Sequence, residues 1–118
     1  MPKLVYTANH VVVSEYPLEE GELSIGRAAD CQIQVDDGTV SSVHTKICIK
    51  PSEYFEDQLE IFAEDQGSTN GTYVNGKRVK RHLLKHGETV RIGTHEFRLI
   101  DEHGLAAEQT RILLEDEE

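Results

Sequence analysis

Long apolar runs, cysteines and basic residues are all scarce in this chain, and each shortage closes off a class of protein. No stretch of the 118 residues approaches the roughly 18 consecutive apolar residues of a membrane-spanning helix, and the N-terminus lacks the apolar stretch of a secretion signal. No membrane partner is expected. The two cysteines, Cys31 and Cys48, are too few for a disulfide scaffold and are not close in sequence, so reduced thiols in a cytoplasmic protein are expected. Lysine and arginine total 12 against 22 aspartates and glutamates, a net charge of −10. Binding to a nucleic-acid backbone wants a basic face, so nucleic acid is not an expected partner. A single phosphate needs only local donors and stays open.

Catalytic and metal-binding patterns are missing too. Ser41, His44 and Asp65 are the residue types of a hydrolytic triad. The serine and histidine, however, lie three apart on one loop, without a Gly-x-Ser-x-Gly elbow. The glycine-rich stretch from Asp65 to Gly76 lacks the Gly-Lys-Ser/Thr ending of a nucleotide-binding loop. His82 and His86 are four apart, but Gly87 and the strand-like surroundings deny them a shared helical face. The chain therefore reads as a non-enzyme without a metal or cofactor.

What is present is a succession of short alternating runs punctuated by turn residues. Lys3–Tyr6, His10–Ser14 with Val11 and Val13 on one face, Glu22–Ile25 and Gln32–Val35 are strand-like. Thr45–Lys50 alternates with Ile47 and Ile49 inward and both lysines outward, and Leu59–Ala63 follows. Thr72–Val74, Lys77–Val79, Leu83–Leu84 and a hairpin of Glu88–Ile92 with His95–Ile100 across Gly93-Thr94 complete the series. About ten or eleven short strands with no long helix predict a single all-β sandwich, whose loops gather at two ends. The pattern covers residues 1–103. From Gly104 the chain changes character: residues 101–118 hold seven acids and one base, and 104–118 reads as an acidic, flexible tail.

Asp65–Gly76 is the stretch the rest is organised around. It carries two Asn-Gly pairs, Asn70-Gly71 and Asn75-Gly76, each expected to make a tight turn, with the hydroxyls of Ser68 and Thr69 ahead of the first. Two other polar patches follow strands: Gly26-Arg27, and Ser41-Ser42-Val43-His44. In this order and at these intervals, with Gly67-Ser68-Thr69-Asn70-Gly71 and Val74-Asn75-Gly76, they closely resemble the forkhead-associated (FHA) domain pattern over roughly residues 3–101.

The resemblance implies an eleven-stranded β-sandwich whose loops at one end bind phosphothreonine peptides. It implies phosphate contacts from Arg27, Ser41 and Thr69, and peptide-backbone contacts from Ser42 and Asn70. It also implies a supporting role for Gly26, His44, Gly71 and Asn75. The residue types suit those tasks: arginine makes a charge-assisted, bidentate pair with phosphate, hydroxyls donate to further oxygens, and glycine permits close backbone approach. The expected partners are a phosphothreonine protein and its upstream Ser/Thr kinase, met by a monomer. The alternative is a phospho-independent scaffold on the same fold.

Ser42 stands where many members of the family carry Arg or Lys and others Asn, and it brings no charge, which throws weight onto Arg27, with help from Arg78. Plainer roles exist for the others: Arg27 as a strand-end cap, Ser41 and Thr69 as turn formers. Selectivity for the third residue after the phosphothreonine falls to Thr39, Val40 and the Gly93-Thr94 turn; none is basic, which favours an apolar residue there. Thr110, with Leu113 three residues on, is a candidate phosphosite through which the domain would bind its own or a neighbour's tail.

Overall fold

A computed structural model describes residues 2–54 and 58–101. The proposed boundary at 104, the acidic tail and Thr110 lie outside the described residues. Among the described residues there is no helix long and apolar enough to cross a membrane.

Among the described residues eleven strands form in chain order: β1 (Lys3–Ala8), β2 (Val11–Pro17), β3 (Gly21–Gly26), β4 (Ile33–Gln34), β5 (Thr45–Pro51), β6 (Leu59–Asp65), β7 (Thr72–Val74), β8 (Lys77–Val79), β9 (Arg81–Leu83), β10 (Thr89–Ile92) and β11 (His95–Ile100). They make a six-stranded sheet in the order β2-β1-β11-β10-β7-β8 and a five-stranded sheet in the order β4-β3-β5-β6-β9. The all-β sandwich expected from the alternating runs is thus the observed fold. Among the described residues every strand pairing is antiparallel except β3 with β4, where Ile25 lies opposite Ile33. Because side chains alternate along a strand, each sheet buries one face. On β5, Thr45, Ile47 and Ile49 are buried while Lys50 is exposed. Phe97, Leu4, Ile25, Ile47, Ile61, Val90 and Ile92, each at most 1% exposed, fill the space between the sheets.

The hairpins show how short sequence signals set geometry. β10 and β11 are joined by Gly93-Thr94, with Ile92 opposite His95 and Gly93 at φ +61°, as expected of a two-residue turn. Asn75 (φ 49°) and Gly76 (φ 84°) turn β7 into β8, and Asn9 (φ 52°) and His10 (φ 64°) turn β1 into β2. The other Asn-Gly pair behaves differently. At Asn70-Gly71 only the glycine has positive φ, so this pair is not the tight turn its sequence suggests; its asparagine is occupied by a tertiary hydrogen bond described below.

Two strand assignments also shift. Val11, Val12 and Val13 are 64%, 60% and 57% exposed, so their alternation does not orient them to a core. β2 is an edge strand, and a register slip opposite Tyr6/Thr7 breaks its period. The ninth strand spans Arg81–Leu83 rather than Leu83–Leu84, because Leu84 turns into the core while its N–H bonds the Ile61 carbonyl at 2.7 Å.

Phe97 stacks on Tyr6 with centroids 4.7 Å apart and is fully buried. Truncating it removes a large side chain from a closed interior, so Phe97→Ala is expected to destabilise the domain by about 3–5 kcal/mol in urea unfolding. A loss below about 1 kcal/mol would mean that the two sheets are not packed through this ring.

Candidate functional site

The polar loops meet at one end of the sandwich, where β3 runs out at Gly26 and β5 and β7 begin. Arg27 leaves the end of β3, and its N–H donates to the Ser41 carbonyl at 3.0 Å. The next amide, Ala28 N–H, donates to the Ser42 carbonyl at 3.1 Å, and the Cys31 thiol reaches the same oxygen at 3.3 Å. This laces the Ser41-Ser42 loop flat against the strand end. The approach is so close that a Cβ on Gly26 would lie 2.2 Å from the Ser42 carbonyl oxygen. Glycine is the residue that this contact admits. Arg27 itself is exposed, and among the described residues its guanidinium has no hydrogen-bond or ion-pair partner.

His44 holds the loops together from beneath. It is 0% exposed. Its Nδ1 accepts the Ser41 N–H at 3.0 Å, and its Nε2 lies 2.7 Å from the Gly71 carbonyl. An acceptor at Nδ1 and a carbonyl facing Nε2 require the neutral tautomer with the proton on Nε2, which donates to Gly71. The His44 backbone adds two links, N–H to the Ile25 carbonyl and carbonyl to the Gln66 N–H, both 2.9 Å.

Asp65 organises the 65–71 loop from within. One carboxylate oxygen accepts the hydroxyls of Ser68 and of Thr72, the latter at 2.7 Å; the other accepts the N–H groups of Gly67 and Ser68, both at 3.1 Å. Burial pushes the Asp65 carboxyl up, but the hydrogen bonds from Ser68 and Thr72 outweigh it and hold its pKa below the ordinary 3.8. Ser68 is buried, and its hydroxyl oxygen also accepts the Gly71 N–H at 3.0 Å. Of the two hydroxyls that precede Asn70, only that of Thr69 therefore faces outward.

Thr69 and Asn70 are exposed and tied across to the Ser41 loop. The Thr69 N–H donates to Ser41 Oγ at 3.2 Å, leaving the Ser41 hydroxyl proton free to donate elsewhere. Asn70 Nδ2 donates to the Thr39 carbonyl at 2.9 Å, leaving its Oδ1 and second N–H toward solvent. Gly71 has φ +88°, and a Cβ there would meet Arg78 Nε at 2.6 Å. Arg78 thus lies across the Gly71 backbone beside the loop end, exposed and without an ion-pair partner among the described residues.

The structure brings together Gly26, Arg27, Ser41, Ser42, His44, Thr69, Asn70 and Gly71. Asn75 it does not. That residue sits at the opposite end of β7, where its N–H and Oδ1 exchange hydrogen bonds with Thr89 at 3.0 and 3.1 Å. It braces β7 against β10 and reaches the site only through the strand between. No metal-holding cluster of His, Cys, Asp or Glu occurs among the described residues. What the loop end offers among the described residues is a set of donors on a rigid floor: the unpaired guanidinium of Arg27 with that of Arg78 across Gly71, the hydroxyls of Ser41 and Thr69, and the amide of Asn70.

The family model for the FHA domain matches residues 23–93, more than half of the chain. The chain belongs to the FHA domain family. Glycogen accumulation regulator GarA of Mycobacterium tuberculosis is 37% identical over 87 residues, which is 74% of this chain and 48% of that protein. The chain thus spans about half the length of the curated relatives it matches. An FHA domain solved in a structural and functional analysis of phosphothreonine-dependent FHA domain interactions has TM-score 0.69 and 29% identity, covering 84% of this chain and 96% of that one. EmbR of Mycobacterium tuberculosis, solved in complex with a low-affinity phosphopeptide, has TM-score 0.69 and 28% identity, covering 84% of this chain and 24% of that one.

Two outcomes follow for this FHA domain. Because the Asp65 pKa is lower in the folded state than its ordinary 3.8, its contribution to stability is present in full above that value and is lost as pH falls toward the folded value. Asp65→Asn should therefore be less stable than the parent at neutral pH, with the gap closing as pH falls below the ordinary carboxylate value of 3.8 in urea unfolding. A gap independent of pH would show that the carboxylate charge is not what orders the loop. Gly26→Ala should displace the Ser41-Ser42 loop, read as shifted amide resonances at Arg27, Ala28 and Ser41; an unchanged spectrum would contradict the close approach.

Proposed function

We propose that the loop end of this FHA domain binds phosphothreonine peptides, and that the chain acts as a non-catalytic reader in Ser/Thr kinase signalling. The observation that carries the reading is the unpaired Arg27 guanidinium beside two outward hydroxyls, in a protein of net charge −10. An exposed arginine that leaves so many carboxylates unused is available to an incoming dianion.

In this reading Arg27 makes the charge-assisted pair with the phosphate, and Ser41 Oγ and the Thr69 hydroxyl donate to its remaining oxygens. Asn70 and Ser42 hold the peptide backbone beside the phosphothreonine, while Gly26, His44 and Gly71 keep the donors in place. Ser42 supplies no charge, and Arg78, lying across Gly71, is the base that would stand in for it. Support comes from the floor being preformed: Ser41, Thr69 and Asn70 are already cross-linked, so little ordering remains to be done on binding. One relative, GarA, is named as a regulator, and this chain is read in the same regulatory class.

Phosphopeptides selected from an oriented phosphothreonine library test the reading by calorimetry. The domain should bind them and not their unphosphorylated forms. Arg27→Ala should weaken binding at least about thirtyfold while the domain stays folded, because it removes charged hydrogen bonds worth about 2 kcal/mol or more. Equal binding of both peptide forms, or retained binding by the variant, would overturn it and favour a phospho-independent scaffold.

A further inference from the structure

Asn70 is one of the outward groups of the loop end, yet nothing in its own loop fixes its side chain. Its amide is held by the Thr39 carbonyl, which belongs to the connection between β4 and β5. Thr39 is itself held. Asp37 Oδ1 accepts both the Thr39 N–H and the Thr39 hydroxyl at 2.9 Å, an Asx-type turn. The other carboxylate oxygen of Asp37 lies 2.8 Å from His95 Nε2, and His95 Nδ1 lies 2.6 Å from the Tyr6 hydroxyl. Tyr6 in turn stacks on the fully buried Phe97.

The directions of these bonds agree with one another. The Thr39 N–H, then His95 and the Thr39 hydroxyl, hold the Asp37 carboxyl down at about 2, so it is ionised at neutral pH and can only accept. His95 Nε2 must then carry the proton. In neutral His95, Nδ1 is left as an acceptor, and the Tyr6 hydroxyl, kept protonated as burial raises its pKa, donates to it. The Thr39 side chain also packs directly on Gly93, where a Cβ would lie 2.6 Å from Thr39 Oγ1. The β4–β5 connection belongs to the five-stranded sheet and His95 to the six-stranded one, so the Asp37–His95 bond is a strut across the mouth of the sandwich.

We propose that Tyr6, His95 and Asp37 are positioning residues for ligand binding: through Thr39 they hold Asn70 in the rotamer that grips the peptide backbone. An exposed asparagine is otherwise free to rotate, and fixing it on binding carries an entropic cost. With the strut intact that cost is met during folding. The chain of bonds runs from a core aromatic ring to a ligand-facing amide, so the hydrophobic interior sets the orientation of a surface group more than twenty residues away in sequence from any of the three. This rests on the phosphopeptide reading above.

A double-mutant cycle tests it, with a phosphothreonine peptide selected on the parent domain. His95→Phe keeps an aromatic ring and removes both hydrogen bonds; it should weaken binding about three- to tenfold, and His95→Gln, which can still donate to Asp37, should recover part of the loss. In an Asn70→Ala background the same His95→Phe change should cost less than about 1.5-fold, since the group it positions is gone. An equal penalty in both backgrounds, or no weakening in the single variant, would overturn the proposal. A second arm needs no ligand. The side-chain amide resonances of Asn70 in the free protein should move on His95→Phe and on Asp37→Ala, and unmoved resonances would overturn the strut. If the parent domain bound no phosphopeptide while those resonances moved, the functional reading would fail and the strut would stand.

Discussion

One buried imidazole carries the architecture of the loop end. His44 joins the Ser41 loop to the Gly71 backbone through its two ring nitrogens, and its own peptide groups join β3 to the entrance of the 65–71 loop. Three segments far apart in sequence are thereby set in one frame. Without the ring, the Ser41 N–H and the buried Gly71 carbonyl would be left unpaired, at about 1–3 kcal/mol for each buried group. The neutral form matters as much as the position. A doubly protonated ring would have no acceptor for Ser41, so the frame depends on an uncharged histidine sealed from solvent. The other features of the site are built on that frame: the laced Ser42 carbonyl, the Thr69-to-Ser41 bond and the Gly71 turn.

Charge at the site is arranged as carefully as geometry. The protein is strongly acidic, and Asp65 stands in the same loop as Thr69 and Asn70. Its carboxylate is turned inward and saturated by four donors, two hydroxyls and two amides. A carboxylate in that state neither pairs with Arg27 nor faces an approaching anion. Asp37 is similarly occupied by Thr39 and His95. The loop end thus contains acids that do structural duty while the arginines beside it, Arg27 and Arg78, keep their guanidinium groups unengaged. The carboxylates of Asp65 and Asp37 are thus neutralised by donors within the fold instead of by the two guanidinium groups.

Much of this was legible in the order of residues, because it rests on local rules. Period-two alternation placed Ile47 and Ile49 inside, and Gly93-Thr94 announced a hairpin whose register the structure reproduces. The spacing of Gly26-Arg27, the Ser41–His44 segment and the Gly67–Gly71 segment pointed to a family and to one end of a sandwich. Where local reading failed, a hydrogen bond or an edge position specific to the folded chain had overridden it. Asn70-Gly71 has the composition of a tight turn, but Asn70 is drawn to Thr39 and keeps negative φ. Ser68 and Thr69 look equivalent in sequence; Asp65 takes the first inward and leaves the second outside. Val11 and Val13 alternate like core residues, yet an edge position and a register slip leave them exposed.

The sequence by itself therefore determined the strands, the turns that obey φ preferences, and the identity of the donors at the loop end, since each depends on residues within a few positions of one another. Only the tertiary structure decided which of those donors face outward, that Asn75 belongs to the far end of β7, and that Tyr6, His95 and Asp37 stand behind Asn70. Asn75 is placed by a hydrogen bond with a residue 14 positions away, and the strut behind Asn70 by bonds that join residues 31, 58 and 89 positions apart. No local preference encodes such a partner; the packing of two sheets, with loops from both meeting at one mouth, selects it. The glycine-rich stretch from Asp65 to Gly76 shows the division within twelve residues. Its composition marks it as a turn-forming loop, and its neighbours in space tie only its middle, Thr69 and Asn70, to the Ser41 loop.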